Sequence, residues 1–388
     1  MERAVRERDV VVGRVRGGKH SPPLIELAGP GDDADLRRLL RESPMPGWIS
    51  VSLEREPDYF GAGAIEGDVS QTLVARDTRE GRVIGMGTRS VRDVFLNGRV
   101  DRMGYFGQLR VDSRYRGSRR RLQEAYRAWK PIHDSGDAAF YLTSIVEGNT
   151  RARRLLTLGV PGLPTYREFA SFSTLALPCS RRWWRRRRPG VTRAVPADLG
   201  AIARFLQGNY AQYQCAPCWT ETALRSRETC RELGAEDFFL AANDGRIEGC
   251  LAIWDQRRFR QSVVRGYADS LKRWRPGINR VSTLLRIPVL PPPGVALNQA
   301  FLSHIAATRQ KPELLPGLIR AAMDEAYARR IDWLILGFSE ENPLRSLVKR
   351  HFTHLEYRSV LYLVYWPDGE EAARALDSRV VHVEVATL

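Results

Sequence analysis

Gly107–Trp129, GQLRVDSRYRGSRRRLQEAYRAW, decides how the rest of this chain is read. It parses as a strand, a tight turn at Arg116–Ser118, and a helix. Leu122, Ala125, Tyr126 and Trp129 fall at i, i+3, i+4 and i+7, one apolar stripe that faces a core. Ser118 is the expected N-cap, which leaves the next backbone N–H groups free to meet a ligand. Arg119, Arg120 and Arg121 crowd the first turn, where the helix dipole is already positive. Each cation there costs about 0.3–1 kcal/mol, and an anion on the free N–H groups reverses that sign. The competing account is compositional: an arginine-heavy chain scatters arginine into unfavourable places too.

Working outward, 388 residues exceed one ordinary core and imply two domains, while 43% hydrophobic content argues against disorder. The net charge of +16 suits a nucleic acid, an anionic surface or a polyanionic small molecule. Lysine supplies only five of the 61 basic residues, so the skew towards arginine weakens inference from any single one. Five cysteines make no disulfide framework, and Cys215-Ala-Pro-Cys218 lacks a second pair to complete a zinc site. No leader and no run of ~20 apolar residues is legible, so a cytoplasmic protein without a membrane span is expected.

The order of elements is β-α-β-β-β-α-β-α-β through residue 177, a mixed α/β sheet with helices against it. Residues 1–22 read as a loose basic arm. The helix after Ser118 is expected to stop near Pro131. Ala139–Val146 and Tyr166–Leu177 are the next strands, the latter closing the unit. Residues 181–190, rich in Trp and Arg, read as a linker, with stacking on RNA or an acidic membrane as the alternative.

Beyond the linker the pattern repeats in the same order. Leu73-Val-Ala-Arg-Asp77 returns as Leu240-Ala-Ala-Asn-Asp244, and Gly81-Arg-Val-Ile-Gly85 as Gly245-Arg-Ile-Glu-Gly249. Asn149 and Asn342 each open a short helix, and Tyr166-Arg167 and Tyr357-Arg358 start the final strands. This is duplication, giving domains at 23–180 and 191–388. An insertion at roughly Arg265–Leu297 is expected to be an irregular loop or flap.

In this order, strand, Arg-Gly turn, helix, strand and Asn-led helix resemble the GNAT acyltransferase superfamily, here as a tandem pair. The resemblance implies that Leu109, Arg110 and Val111 pair with the pantetheine arm of an acyl-CoA, with acetyl-CoA the expected donor. It implies a pyrophosphate-cradling turn at Arg116, Gly117, Ser118, Arg119, Arg120 and Arg121, although two usually small positions are arginine here. Asn149 matches the Asn that approaches the pantetheine arm. The family's general-acid tyrosine falls on Leu156, leaving Tyr105 and Tyr166 as substitutes by segment alone. Glu147, at the end of its strand, is the candidate base, and Gln108 a candidate for orienting substrate or water.

No metal is implied, and the six histidines form no catalytic constellation. In the second half the corresponding turn carries Pro312, Glu313 and Pro316, so that half is expected to be non-catalytic. The expected activity is N-acyl transfer to a small amine or amino-acid-like acceptor. The alternatives are an aminoacyl-tRNA donor, which the basic charge motivates, and a non-catalytic acyl-CoA-binding or regulatory protein. The acceptor surface is sought in Pro46–Phe60, which holds Trp48, Tyr59 and Phe60, and in the insertion.

Overall fold

Leu122, Tyr126 and Trp129 do face a core, packing with Phe106, Tyr141 and Trp366 as one aromatic cluster. The structure is a computed structural model that describes residues 23–179, 190–285 and 287–388. The expected arm at 1–22 and all of the Trp/Arg linker except Gly190 lie outside the described residues.

Strands β1 (Leu24–Leu27), β2 (Ile49–Glu54), β3 (Val69–Arg76), β4 (Val83–Leu96), β5 (Arg99–Val111), β6 (Tyr141–Val146) and β7 (Thr165–Pro178) precede residue 180. Strands β8 (Val191–Arg193), β9 (Ala216–Pro217), β10 (Phe238–Asn243), β11 (Arg246–Trp254), β12 (Gln261–Tyr267), β13 (Gln299–Ala307), β14 (Trp333–Ser339) and β15 (Leu355–Tyr365) follow. The helices are α1 (Asp33–Glu42), α2 (Gly63–Glu66), α3 (Arg119–Asp134), α4 (Thr150–Leu156), α5 (Leu199–Tyr210), α6 (Glu221–Arg225), α7 (Asp269–Leu285), α8 (Leu314–Ala328), α9 (Pro343–His351) and α10 (Glu370–Arg374).

One mixed sheet carries most strands, in the order β1-β3-β4-β5-β6-β15-β7-β14-β13-β11-β10-β8. Read from either end, the order is the same repeat: β8, β10, β11, β13 and β14 mirror β1, β3, β4, β5 and β6. The duplication in the sequence is therefore a duplication in space. One expectation is corrected here. β7 does not close the first half's sheet; β15 pairs with β6, and β7 pairs with β14. Each half supplies the other's sixth strand, and β15 and β7 pair along Leu355–Tyr365 at the centre. Residues 359–365 of β15 are buried throughout, so the exchanged strand sits in the interior rather than at an edge.

Two further differences have local causes. α3 runs past Pro131 to Asp134, because proline's φ is itself helical and its cost is one backbone hydrogen bond. The insertion is not irregular: it holds β12 and α7. β12 pairs with β2 as a separate two-stranded ribbon, so the two stretches singled out for the acceptor surface are hydrogen-bonded to each other. Arg265 fastens them, its Nε donating to Ser52 Oγ at 2.8 Å and its Nη2 pairing with Glu54.

Candidate active site

The turn after β5 folds as a single 3-10 turn, Ser113–Tyr115, capped by Asp112, and then breaks into α3 at Gly117. Gly117 has φ +92°, a conformation that selects glycine, and a Cβ there would lie 2.9 Å from the mobile tip of Arg151. Ser118 caps α3, its Oγ accepting from Arg121 N–H at 3.3 Å. No acidic residue sits in the first turn.

Beside this turn opens a cleft of about 340 Å³ lined by Gly117, Arg119, Thr150, Arg151, Arg154, Leu155 and Leu158. The arginines expected to line it divide. Arg116 Nε donates to the Val111 carbonyl at 2.9 Å, Arg121 donates to the Tyr115 carbonyl at 2.9 Å, and Arg120 pairs with Glu124 at 3.0 Å. Arg119 alone of that run lines the cleft, joined by Arg151 and Arg154 from α4. None of these three has a carboxylate partner among the described residues. Sequence reasoning missed Arg151 and Arg154, although their i, i+3 spacing on the Asn-led helix places them on one face.

The elements that line this cleft follow β5 and β6, and these two strands splay apart into a wedge. β5 and β6 are parallel and pair only at Gly104 with Tyr141 and Tyr105 with Leu142. A Cβ on Gly104 would lie 2.0 Å from the Tyr141 ring, so the strands touch there because the residue is glycine. Thr143 Oγ1 still reaches the Phe106 carbonyl at 2.7 Å. Past it the strands separate and their facing backbone groups do not pair with each other, an edge that an extended ligand can complete. β5 also bulges here. Thr88 pairs with Gly107 and Met86 with Arg110, so Gly87 opposes both Gln108 and Leu109, with Gln108 at φ +49°.

Gln108 keeps its Oε1 buried without a partner. Tyr105, two residues before the bulge, packs over Gly107. Burial pushes its phenol up to about 12, with the Glu66 charge adding to the rise and Arg260 and Arg110 opposing it, so it stays protonated at neutral pH. Leu109 is exposed at the wedge, and burial lowers the Arg110 guanidinium below its usual value. Asn149 caps α4, its Oδ1 accepting from Ala152 N–H at 3.1 Å.

Two expected residues do not join the group. Glu147 is exposed and its carboxylate leans 3.9 Å from Arg358 on β15, the side of β6 away from β5. Tyr166 is half-buried against Tyr126, hydroxyl to hydroxyl, with its phenol raised well above 10, mainly by burial.

The second half keeps the same devices in altered form. β13 and β14 are parallel and pair only at Gln299–Phe301 with Trp333–Ile335. β13 bulges between Ser303 and Ala306, with His304 at φ +53°. This wedge is filled by the chain itself. The His304 N–H donates to Glu384 Oε2 at 2.8 Å, Ser339 Oγ donates to the Val381 carbonyl at 2.6 Å, and Val381–Glu384 are all buried. Lys311, in the turn that follows, pairs with Glu248 at 2.7 Å.

Two other groups are quickly placed. His133, Asp134 and Asp368 could reach a common cation, but Lys130 Nζ already lies 2.5 Å from Asp134 and 3.3 Å from Asp368. Cys215 and Cys218 are free thiols, and burial pushes the Cys215 thiol up to about 12.

The chain has the GNAT fold. It superposes on a GCN5-related N-acetyltransferase from Sphaerobacter thermophilus with TM-score 0.50 at 14% identity, covering 94% of this chain and 98% of that one. It superposes on Saccharomyces cerevisiae N-myristoyltransferase with bound myristoyl-CoA with TM-score 0.58 at 11% identity, covering 92% and 89%. A GCN5-related glucosamine N-acetyltransferase region of a fungal multi-domain β-N-acetylglucosaminidase gives TM-score 0.55 at 11% identity; this chain spans 39% of that protein's length. No family model and no curated protein matches the sequence.

Proposed function

We propose that this chain is an acyl-CoA-dependent N-acyltransferase whose donor lies on the first of two tandem halves, 23–180 and 191–388. The observation that carries the reading is an asymmetry: the first half's bulged wedge is left open, and the helices that follow its two strands line a cleft with three arginines that have no carboxylate partner among the described residues, whereas the second half's wedge is filled by residues 381–387. Arg119, Arg151 and Arg154 with the α3 N-terminus would hold the diphosphate, and the edges of β5 and β6 the pantetheine arm. A backbone N–H of the Gln108–Leu109 bulge would polarise the thioester carbonyl. The amine nitrogen attacks that carbon, the C–S bond breaks, protonated Tyr105 would donate to the departing thiolate, and the proton shed by the amine passes to water, from which Tyr105 is reprotonated. Glu147 has no part in this scheme. A cytoplasmic setting suits the five free cysteines.

CoA at millimolar concentration should raise the melting temperature of the parent chain, and Arg119→Ala/Arg151→Ala/Arg154→Ala should abolish the rise. Thiol release from acetyl-CoA and longer acyl-CoAs across an amine panel then tests turnover. Glu147→Gln should turn over like the parent, and Tyr105→Phe should be slowed. No thermal shift would sink the reading. A shift without thiol release would favour a non-catalytic CoA binder, to which the buried Leu156 at the usual acid's position lends support.

A further inference from the structure

Helix α7 turns its amphipathicity the wrong way for packing. Its protein-facing stripe is polar: Arg275, Asn279 and Ser282. Asn279 Nδ2 donates to the Leu290 carbonyl at 2.9 Å, and its Oδ1 accepts from Leu290 N–H at 2.8 Å. Arg275 Nε reaches the same carbonyl at 3.2 Å, and Ser282 is buried. The adjoining stripe, Trp274, Ile278, Val281 and Leu285 at i, i+4, i+7 and i+11, is apolar and faces water, with exposures of 69, 37, 54 and 61%. Just before the helix Ala268 N–H donates to the Trp48 carbonyl at 3.0 Å, which brings a second tryptophan, 75% exposed, to the N-terminal end of α7.

Scattered exposed apolar residues need no explanation, but a continuous stripe with two tryptophans marks a contact surface. Its charge selects the partner. Lys272, Arg273 and Arg280 are exposed and have no carboxylate partner among the described residues, and the helix's sole acid is Asp269. The helix is neither long nor apolar enough to cross a bilayer. Unpaired cations flanking an apolar stripe, with tryptophan beside it, match the boundary between acyl chains and anionic headgroups.

We propose that α7, with Trp48, docks this protein in the plane of an anionic lipid surface. The apolar stripe enters the headgroup boundary, and Arg273 and Arg280, which lie along its solvent-facing flank, meet lipid phosphates. This assignment is independent of the acyltransferase reading.

The test floats the purified full chain with vesicles of phosphatidylcholine alone and of phosphatidylcholine containing about one-third phosphatidylserine. About tenfold more protein should float with the anionic vesicles, and rising salt should release it. Trp274→Ser/Val281→Ser/Leu285→Ser should lose that binding at an unchanged melting temperature. Should that variant be destabilised, Arg273→Glu/Arg280→Glu provides the second reading and should lose the preference for anionic vesicles. The proposal is overturned if the parent does not float, if it binds neutral and anionic vesicles equally, or if the serine variant floats like the parent. It is equally overturned if the parent sediments as a dimer that the serine variant makes monomeric, since the stripe would then be a subunit interface.

Discussion

Glu384 shows what a single residue does in the filled wedge. Burial lifts its carboxyl to about 7, while the His304 N–H and the Arg92 charge pull it down. Between about 4.5 and 7 the folded protein holds a proton that the unfolded chain has released, so this group's contribution to stability falls as pH rises. His304 and His382, lowered by burial to about 3 and about 4, act in the opposite sense: stability from them rises with pH until unfolded histidine deprotonates near 6.5. Glu384→Gln removes only the first effect. Its stability relative to the parent should climb by about 1.4 kcal/mol per pH unit through that window and level off above it. Urea unfolding at a series of pH values measures this; a difference that does not vary with pH would mean the carboxyl titrates normally. At this scale the sequence was only partly legible. Gly117 and Arg119 were found because a turn and a helix dipole are local. Glu384 could not be, because its importance depends on a bulge eighty residues earlier in the chain.

At the scale of the element, α3 carries three arginines in its first turn and no acid, so without a ligand its dipole is opposed. Arg120 has Glu124 and Arg121 has a carbonyl, which leaves Arg119 as the cation of that turn with neither partner among the described residues, and the proposed donor site gives it the diphosphate. Arg119→Glu should therefore leave the ligand-free protein equal to the parent or more stable by up to about 1 kcal/mol, while its stabilisation by CoA disappears. Melting curves with and without CoA separate the two effects. A ligand-free protein clearly less stable than the parent would mean that Arg119 serves packing. The existence of α3 was readable from its apolar spacing, and its extent was not, because Pro131 is tolerated one turn before the end. α7 was missed altogether: its apolar stripe contacts no core, and the proline run that follows suggested loop.

The whole molecule is held by exchange. Since β15 lies between β6 and β7, and β7 between β15 and β14, neither half can complete its sheet alone. Unfolding should be a single cooperative transition, with calorimetric and van't Hoff enthalpies in agreement. Two resolved transitions would mean that the halves are stable separately. The β2–β12 ribbon adds contacts of the same long-range kind.

What the sequence determined by itself is what depends on neighbours along the chain: strand and helix periods, the capped turn after β5, the repeated order of motifs, and from these the GNAT resemblance. Tertiary structure alone decided which closing strand belongs to which half, which arginines share a cleft, and which of two similar wedges is left open. Hydrophobic period and turn chemistry act over a few residues, whereas wedge filling joins segments 42 and 80 residues apart and the strand exchange joins segments more than a hundred apart, and identical local patterns satisfy either arrangement until packing chooses.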